Sequence, residues 1–275
     1  MKAIRWFFLV FSFSCINMII QDDNKYNSIY FNGGSWIDFA QIENMKLSPS
    51  ANQFTLQFWV SGSDITVFEA PAIFSIVDSN EKIKLTMFRD AGSNSTFTIK
   101  VNDDVFESIT TDQVELDWSD PNNFYLISLL FSENTDLKVY INKEKLNNID
   151  IDTGNAGPID VGDASLMFGV VANTGYNVLE SFWYGYIDEI RLWNTLLSEE
   201  TIQFQYEQPN KFSKNYRATE DGEEIPTHLD SLIGLWRFNL TNATTTMIDE
   251  SGNGNDGTIY TLPNYFIELS ERGVQ

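Results

Sequence analysis

A loop of oxygen-bearing side chains near the C-terminus has the spacing of a calcium-binding loop. Oxygen ligands stand at alternate positions from residue 249, and Gly254 permits the sharp turn that such loops need. The predicted ligands of Ca²⁺ are Asp249, Ser251, Asn253, Asn255 and Asp256. The twelfth position is Tyr260 instead of a bidentate glutamate, so the ion would complete its shell from elsewhere. The alternative is a plain turn in which Asp249 and Asn253 hydrogen-bond local amides.

Two acidic residues between positions 115 and 120 have the spacing of a glycosidase carboxylate pair. On a strand, Glu115 and Asp117 would share one face, and a retaining pair lies about 5 Å apart. The segment resembles the E-[IL]-D-x-x-E strand of laminarinase-type β-glucanases, but its last position is Asp120 and a turn follows, so we interpret the match as chance. The one histidine, His228, lies in a polar linker, which disfavours a nucleophilic triad. We therefore predict a protein that is not an enzyme, with a polysaccharide hydrolase or lyase as the alternative.

Four aromatic residues near predicted turns are candidates for ligand binding. Neutral glycans are held by aromatic faces together with a few polar groups. The predicted ligand-binding residues are Trp36, Trp118, Tyr176 and Trp183. For each of them the alternative is packing in the core or at the rim, as we expect for tryptophans inside predicted strands.

The strongly acidic composition restricts the classes of partner. The 39 acidic and 17 basic residues give a formal net charge of -22, which repels the phosphates of nucleic acids. Anionic membranes and sulfated polymers are disfavoured for the same reason, whereas neutral glycans, cationic surfaces and calcium remain open. The alternative is that the acidic excess only keeps the protein soluble.

The first twenty residues have the layout of a secretory signal peptide. Lys2 and Arg5 precede a short apolar run, and small residues stand just before Cys15. We predict export, to the outer cell surface or as a secreted protein. Cleavage before Cys15 would leave a lipid-anchor site of the lipoprotein type, and the alternative is an ordinary signal in which Cys15 is incidental. With one cysteine, the body has no internal disulfide.

The rest of the chain reads as strands and turns. Apolar residues alternate with other residues over 54–60, a near-continuous apolar run covers 124–131, and turn signals separate about ten such segments. This spacing predicts an all-β, two-sheet antiparallel sandwich. A helix is predicted after Ser198, whose side chain can cap it. A polar linker is predicted over 209–230. The C-terminal unit over 231–275 is predicted to pack back on the sandwich as an edge strand.

Three stretches carry a resemblance to a known family. The first is residues 28–39, Ser-Ile-Tyr-Phe-Asn-Gly-Gly-Ser-Trp-Ile-Asp-Phe, followed by Phe-Thr-Leu-Gln-Phe-Trp-Val at 54–60. The second is the strand pair 124–142. The third is Gly-Tyr-Ile-Asp-Glu-Ile-Arg-Leu-Trp-Asn at 185–194 with its Leu-Ser-x-Glu continuation. They are similar to the laminin G-like, concanavalin A-like family, which includes bacterial laminin G-like domains and pentraxins. The resemblance implies a jelly-roll sandwich over 24–208 with one short helix after its last strand.

The resemblance specifies the fold better than the function, because the same fold hosts lectins, adhesion modules, hydrolases and lyases. We predict an exported, non-catalytic binding module for a glycan or a cell-surface protein, with calcium ordering a loop. A structural surface protein is a further alternative. The expected oligomeric state is a monomer, and the only expected membrane attachment is the lipid anchor.

Overall fold

The structure, a computed structural model, describes most of the chain after the predicted signal segment. The described residues are 28–41, 53–64, 70–78, 80, 82–101, 104–110, 115–132, 135–146, 164–172, 179–209, 229–238, 245–265, 267–270 and 272. The signal segment with Cys15, the candidate Tyr176, His228 and most of the predicted linker lie outside these residues.

The first sheet contains eight antiparallel strands. They are β1 (Ser28–Asn32), β3 (Gln53–Ser61), β8 (Tyr125–Ser132), β9 (Thr135–Ile141), β10 (Glu144–Lys145), β14 (Tyr184–Trp193), β15 (Leu232–Trp236) and β18 (Glu268–Ser270). Their order is β10-β9-β8-β3-β14-β1-β18, and β15 also pairs with β14. Strands β1 and β15 lie end to end along β14, because β1 pairs with residues 184–187 and β15 with residues 190–193.

The second sheet also contains eight strands and packs against the first. They are β2 (Ser35–Gln41), β4 (Ala72–Val77), β5 (Ile83–Arg89), β6 (Thr96–Val101), β7 (Asp104–Thr110), β11 (Ser165–Phe168), β16 (Thr246–Met247) and β17 (Gly257–Thr261). Their order is β16-β17-β2-β11-β4-β5-β6-β7. A separate two-stranded ladder joins β12 (Val171–Ala172) to β13 (Leu179–Glu180). The predicted all-β, two-sheet antiparallel sandwich is therefore confirmed.

The core lies between the two sheets and follows the period of two read in the sequence. Every second residue of β3 is apolar and points inward, among them Phe58, whose ring lies 5.6 Å from that of Phe74 and 5.1 Å from that of Phe168 on the second sheet. Edge-to-face rings at such distances are favourable beyond the area that they bury. The alternation of β3 therefore shows which face of the strand meets the second sheet.

Within the described residues there is one α-helix, α1 (Glu199–Glu207), and it covers part of the outer face of the first sheet. Ser198 caps it, because its hydroxyl accepts the Thr201 amide at 3.2 Å. Ile202 packs into a second apolar cluster under the helix, which also contains Leu130, Tyr140, Trp193, Leu197, Leu232 and Leu235. No helix in the described part of the chain is long and apolar enough to span a bilayer.

The C-terminal unit completes both sheets instead of adding a single edge strand. Strand β15 joins the first sheet beside β14, and β17 pairs with β2 in the second. Strand β18 then returns to the first sheet, where Ser270 pairs with Ser28. Residues near the two ends of the described chain thus share one edge of the sandwich.

Candidate functional site

The predicted calcium loop is a turn organised by the carboxylate of Asp249. One carboxylate oxygen, Oδ1, accepts the amides of Leu235 at 3.0 Å and Ser251 at 2.9 Å, and the other, Oδ2, accepts the amide of Asn255 at 3.0 Å. Asp256 in turn accepts the Asp249 amide at 2.8 Å. Both oxygens of the central carboxylate are therefore occupied by backbone amides.

The remaining predicted ligands tie the loop to β15. The hydroxyl of Ser251 donates to the carbonyl of Ile233 at 3.1 Å, and the side-chain amide of Asn255 donates to the same carbonyl at 2.8 Å. Asn253 donates to the carbonyl of Leu232 at 2.8 Å. No group of three or more His, Cys, Asp or Glu with metal-binding geometry occurs among the residues described. In this conformation the donor set forms a hydrogen-bonded turn, and calcium binding stays a prediction.

The acidic pair of the weak enzymatic alternative lies in an irregular segment before a turn and not on a strand. Residues 115–117 precede the turn at 118–119 and belong to no strand. The Asp117 carboxylate accepts the hydroxyl of Ser119 at 2.5 Å and its amide at 2.9 Å. These hydrogen bonds lower the pKa of Asp117, which disfavours a general-acid role. Strand alternation was thus the wrong basis for placing Glu115 and Asp117 on one face.

Two of the predicted ligand-binding tryptophans are in the core, which corrects their assignment. Trp118 and Trp183 each have 0% of their surface exposed, and their rings meet edge to face at 6.2 Å. The indole of Trp118 also donates to the carbonyl of Thr96 at 3.2 Å. A ring without exposed surface has no face for a sugar. Trp36 is 5% exposed and is stacked on Tyr260 at 5.3 Å, so little of its ring is open either.

A row of partly exposed aromatic rings lies on the outer face of the first sheet, beyond the end of α1. Tyr30 on β1 is in register with Tyr186 on β14, and the centroids of their rings are 4.8 Å apart. Phe124, just before β8, lies 6.3 Å from Tyr186 on its other side. Ser61 of β3 is in register with Tyr186, and its small side chain leaves room for this contact. We call Phe124, Tyr186 and Tyr30 the aromatic row.

Charged groups border the aromatic row at the β18 end. Glu268 is in register with Tyr30, and the guanidinium of Arg272 lies 5.3 Å from the centre of the Tyr186 ring. Arg272 also donates to the Tyr186 hydroxyl at 3.2 Å. The pKa of Tyr30 is raised, first by burial and then by electrostatic interaction with the neighbouring Tyr186 hydroxyl and with the carboxylates of Glu268 and Asp64. Tyr30 therefore remains a neutral phenol that can donate a hydrogen bond at physiological pH.

The helix explains why this half of the face is open and the other half is not. On the α1 side of the aromatic row, Trp59 is covered by Tyr206 of the helix, and the centroids of the two stacked rings are 5.9 Å apart. Farther along β14, Arg191 is 0% exposed and donates to the side-chain oxygen of Gln57 at 3.0 Å. Within a few positions along β14, the outward-facing residues change from the buried, polar Arg191 to the half-buried, aromatic Tyr186. The aromatic row therefore lies on a part of the sheet face that α1 does not cover.

A family model matches residues 23–203, more than half of the chain, and its description is concanavalin A-like lectin/glucanases superfamily. The protein belongs to this superfamily, through its laminin G-like branch. Among curated proteins, none matches the sequence.

Solved structures support the concanavalin A-like fold. The native heptameric SAP-like pentraxin of Limulus polyphemus is similar with a TM-score of 0.50 at 15% identity, over 86% of this chain and 95% of that one. A proposed carbohydrate-binding protein of Bacteroides ovatus is similar with a TM-score of 0.50 at 14% identity, over 89% of this chain and 59% of that one. A mutant Trypanosoma rangeli sialidase with trans-sialidase activity matches with a TM-score of 0.41 at 13% identity, over 57% of this chain and 23% of that one. At these identities the similarity concerns the fold alone.

The signature strand of this concanavalin A-like chain contains a second acidic pair, and it has a structural role. Glu189 has a positive φ of 41° at the bulge between Asp188 and Arg191. Its carboxylate pairs with the guanidinium of Arg191 and, at 3.1 Å, with that of Arg237. Because Glu189 is held by two cations, it neutralises the buried Arg191 rather than binding a metal.

Proposed function

We propose that the protein is a non-catalytic binding module that recognises a neutral glycan through the aromatic row. The observation that carries the proposal is the placement of three partly exposed aromatic rings in contact with one another on a sheet face that α1 does not cover. An outward position of a half-solvated antiparallel sheet is normally polar. A contiguous aromatic patch on such a face is typical of a binding surface.

The chemistry around the row favours a neutral sugar. Aromatic faces bind the C–H face of a pyranose, and the neighbouring Tyr30 hydroxyl, Glu268, Asp64 and Arg272 provide donors and acceptors for its hydroxyl groups. The net charge of -22 opposes anionic polymers. The superfamily and the similarity to a proposed carbohydrate-binding protein support the same proposal.

The cellular setting is part of the proposal and follows from the sequence. We propose export through the N-terminal segment, with a lipid on Cys15 as the anchor, and a monomer as the acting form. Catalysis is not proposed, because the acidic pair of the enzymatic alternative lies on no strand and Asp117 is engaged by Ser119.

The test is a glycan array with the mature chain, followed by Tyr186→Ala. We expect neutral glycans to bind, and the variant to lose about tenfold in affinity, since 1.4 kcal/mol corresponds to that factor. The matched control is Tyr260→Ala, which removes a half-buried outward tyrosine from β17 on the other sheet and should bind as the parent does. Absence of any glycan binding would refute the proposal. Loss of binding in Tyr260→Ala alone would move the site to the second sheet.

A further inference from the structure

A covered tryptophan, Trp59, stands next to the aromatic row on the same sheet face. Tyr186 is in register with Ser61 of β3, and Trp59 is the next outward residue along that strand. Trp59 and Tyr186 are thus diagonal neighbours on adjacent strands, about 7–8 Å apart and within reach of aromatic side chains. Only 3% of the Trp59 surface is exposed, because the ring of Tyr206 in α1 covers it. Trp59 would extend the aromatic row if Tyr206 moved away.

The first half of α1 is anchored to the sheet. Ile202 packs into the apolar cluster under the helix. Leu197, just before the helix, is buried, and its amide donates to the Thr55 hydroxyl at 3.1 Å. The carboxylate of Glu199 accepts the hydroxyl of Tyr140 at 2.9 Å. An apolar contact and buried hydrogen bonds therefore fix this half of the helix in place.

The last turn of α1 is fastened by weaker contacts. Gln205 is 1% exposed, yet its side-chain oxygen has no hydrogen-bond donor among the residues described. The buried indole N–H of Trp59 likewise has no acceptor in the described part of the chain. Glu207 pairs with Lys143 at 2.8 Å, and both side chains are exposed, so the pair stabilises the turn little. Since buried polar groups without partners disfavour the closed position, the stack of Tyr206 on Trp59 is the contact that keeps the indole covered.

We propose that the last turn of α1 is a lid and that Trp59 is a further binding position beneath it. The planes of the Tyr206 and Trp59 rings differ by only 23°, so the tyrosine occupies the place of a flat ligand ring. The ligand that replaces it needs an apolar face for the indole and an oxygen that accepts the indole N–H, and a sugar unit provides both. The identity of this ligand rests on the proposed function, whereas the lid does not.

The second sheet carries the same pair of rings in a fixed setting. Trp36 is 5% exposed and is stacked on Tyr260, with 5.3 Å between the ring centroids and 15° between the planes. Tyr260 belongs to β17 and is in register with Trp36 itself, so a backbone ladder holds it in place. Tyr206 is instead the second-last residue of a helix, where local opening breaks few hydrogen bonds. Static exposure makes Trp36 the more reactive indole, and a lid over Trp59 reverses that order.

The lid is tested without any ligand, by hydroxyl-radical oxidation of the mature chain followed by peptide mass spectrometry. We expect Trp59 to be oxidised about fivefold faster than Trp36, because only Trp59 becomes exposed through a local opening. Tyr206→Ala should accelerate the oxidation of Trp59 further, and Tyr206→Phe, which keeps the covering ring, should behave as the parent does. Oxidation of Trp59 no faster than that of Trp36 would overturn the lid.

The binding role of Trp59 is tested by calorimetric titration with soluble gluco-, xylo- and manno-oligosaccharides. Tyr206→Ala no longer has to displace its own ring, so we expect its affinity to exceed that of the parent by about threefold or more. Adding Trp59→Ala to that variant should abolish the gain. Tyr260→Ala, which uncovers Trp36 on the other sheet, is the matched control and should bind as the parent does. An affinity of Tyr206→Ala that is equal to or below that of the parent would contradict the proposal.

The proposed function and the covered binding position fail in different ways. If oligosaccharides bind and Tyr186→Ala weakens them while Tyr206→Ala changes nothing, the proposed function holds and Trp59 is not part of the site. If no oligosaccharide binds the parent or Tyr206→Ala, the proposed function and the binding role of Trp59 are both wrong. The oxidation rates decide the lid in either case.

Discussion

Replacement of Asp249 by alanine tests the hydrogen-bonded turn at the C-terminal loop. The carboxylate accepts three backbone amides, from Leu235, Ser251 and Asn255, and that of Leu235 is buried. Hydrogen bonds to a charged group contribute about 1.5 kcal/mol each at the lower end of their range, and an unsatisfied buried amide costs a further 1–3 kcal/mol. Because such terms are not additive, we expect Asp249→Ala to lower the free energy of unfolding by about 4 kcal/mol.

Two further variants calibrate this value. Asp249→Asn keeps an oxygen for the Leu235 and Ser251 amides but places an NH₂ group against the Asn255 amide, so about half of the loss is expected. Asp256→Ala removes the acceptor of one amide and should cost about 1 kcal/mol. Urea unfolding followed by tryptophan fluorescence measures all three. A loss below 1 kcal/mol for Asp249→Ala would refute the role of the carboxylate.

The same measurement separates the turn from a calcium site. The turn as described, with both Asp249 oxygens on backbone amides, predicts an unfolding midpoint that is equal in calcium and in a chelator. An ion that binds only the folded state raises the midpoint by mass action. A calcium-dependent rise that Asp249→Ala abolishes would show that the loop rearranges to bind the ion.

Three further predictions concern local structure. Ser198→Ala removes the cap of α1 and should cost about 1 kcal/mol in urea unfolding. Gly33 and Gly92 both have a positive φ, +85° and +70°, so replacement by alanine should cost each about 1 kcal/mol of unfolding free energy through the backbone. The methyl group of Gly33→Ala would lie 2.0 Å from a tyrosine ring, whereas that of Gly92→Ala meets nothing. Gly33→Ala should therefore cost at least about 1 kcal/mol more than Gly92→Ala. Ser119→Ala should raise the pKa of Asp117 toward its ordinary value. A carboxyl group whose pKa is lowered on folding stabilises the folded state above its unfolded pKa, and this stabilisation is lost as the pH falls through the folded pKa. The variant should therefore be less stable than the parent at neutral pH and equally stable below the folded pKa. Acid titration of stability will show this.

Strand alternation was sufficient to predict the sandwich and its core, because the period of two places every second side chain on one face. The alternating segment of β3 and the long apolar run of β8 are accordingly neighbouring central strands of the first sheet. The helix was also predictable, since Ser198 and the two following glutamates form a local signal that does not depend on distant residues.

The aromatic row could not be found in the same way. Tyr30 and Tyr186 stand far apart in the sequence and meet only because β1 pairs with β14 in one register. Turn position misled the choice of tryptophans, since Trp118 and Trp183 fill the end of the sandwich beneath the turns. Alternate oxygens also describe both a calcium loop and an amide-binding turn, and the amide of Leu235 that completes the turn lies on another strand.

The pairing of Ser28 with Ser270 also determines when the protein can fold. Four strands after residue 231 complete both sheets, so β1, β2 and β14 each lack a neighbour until the residues up to Ser270 have emerged from the ribosome. Contacts between residues so distant in sequence raise the contact order and slow folding. The unpaired edges would attract other chains in the meantime. We therefore expect C-terminally truncated forms to aggregate, and the newly made protein to depend on chaperones until its last strands are in place.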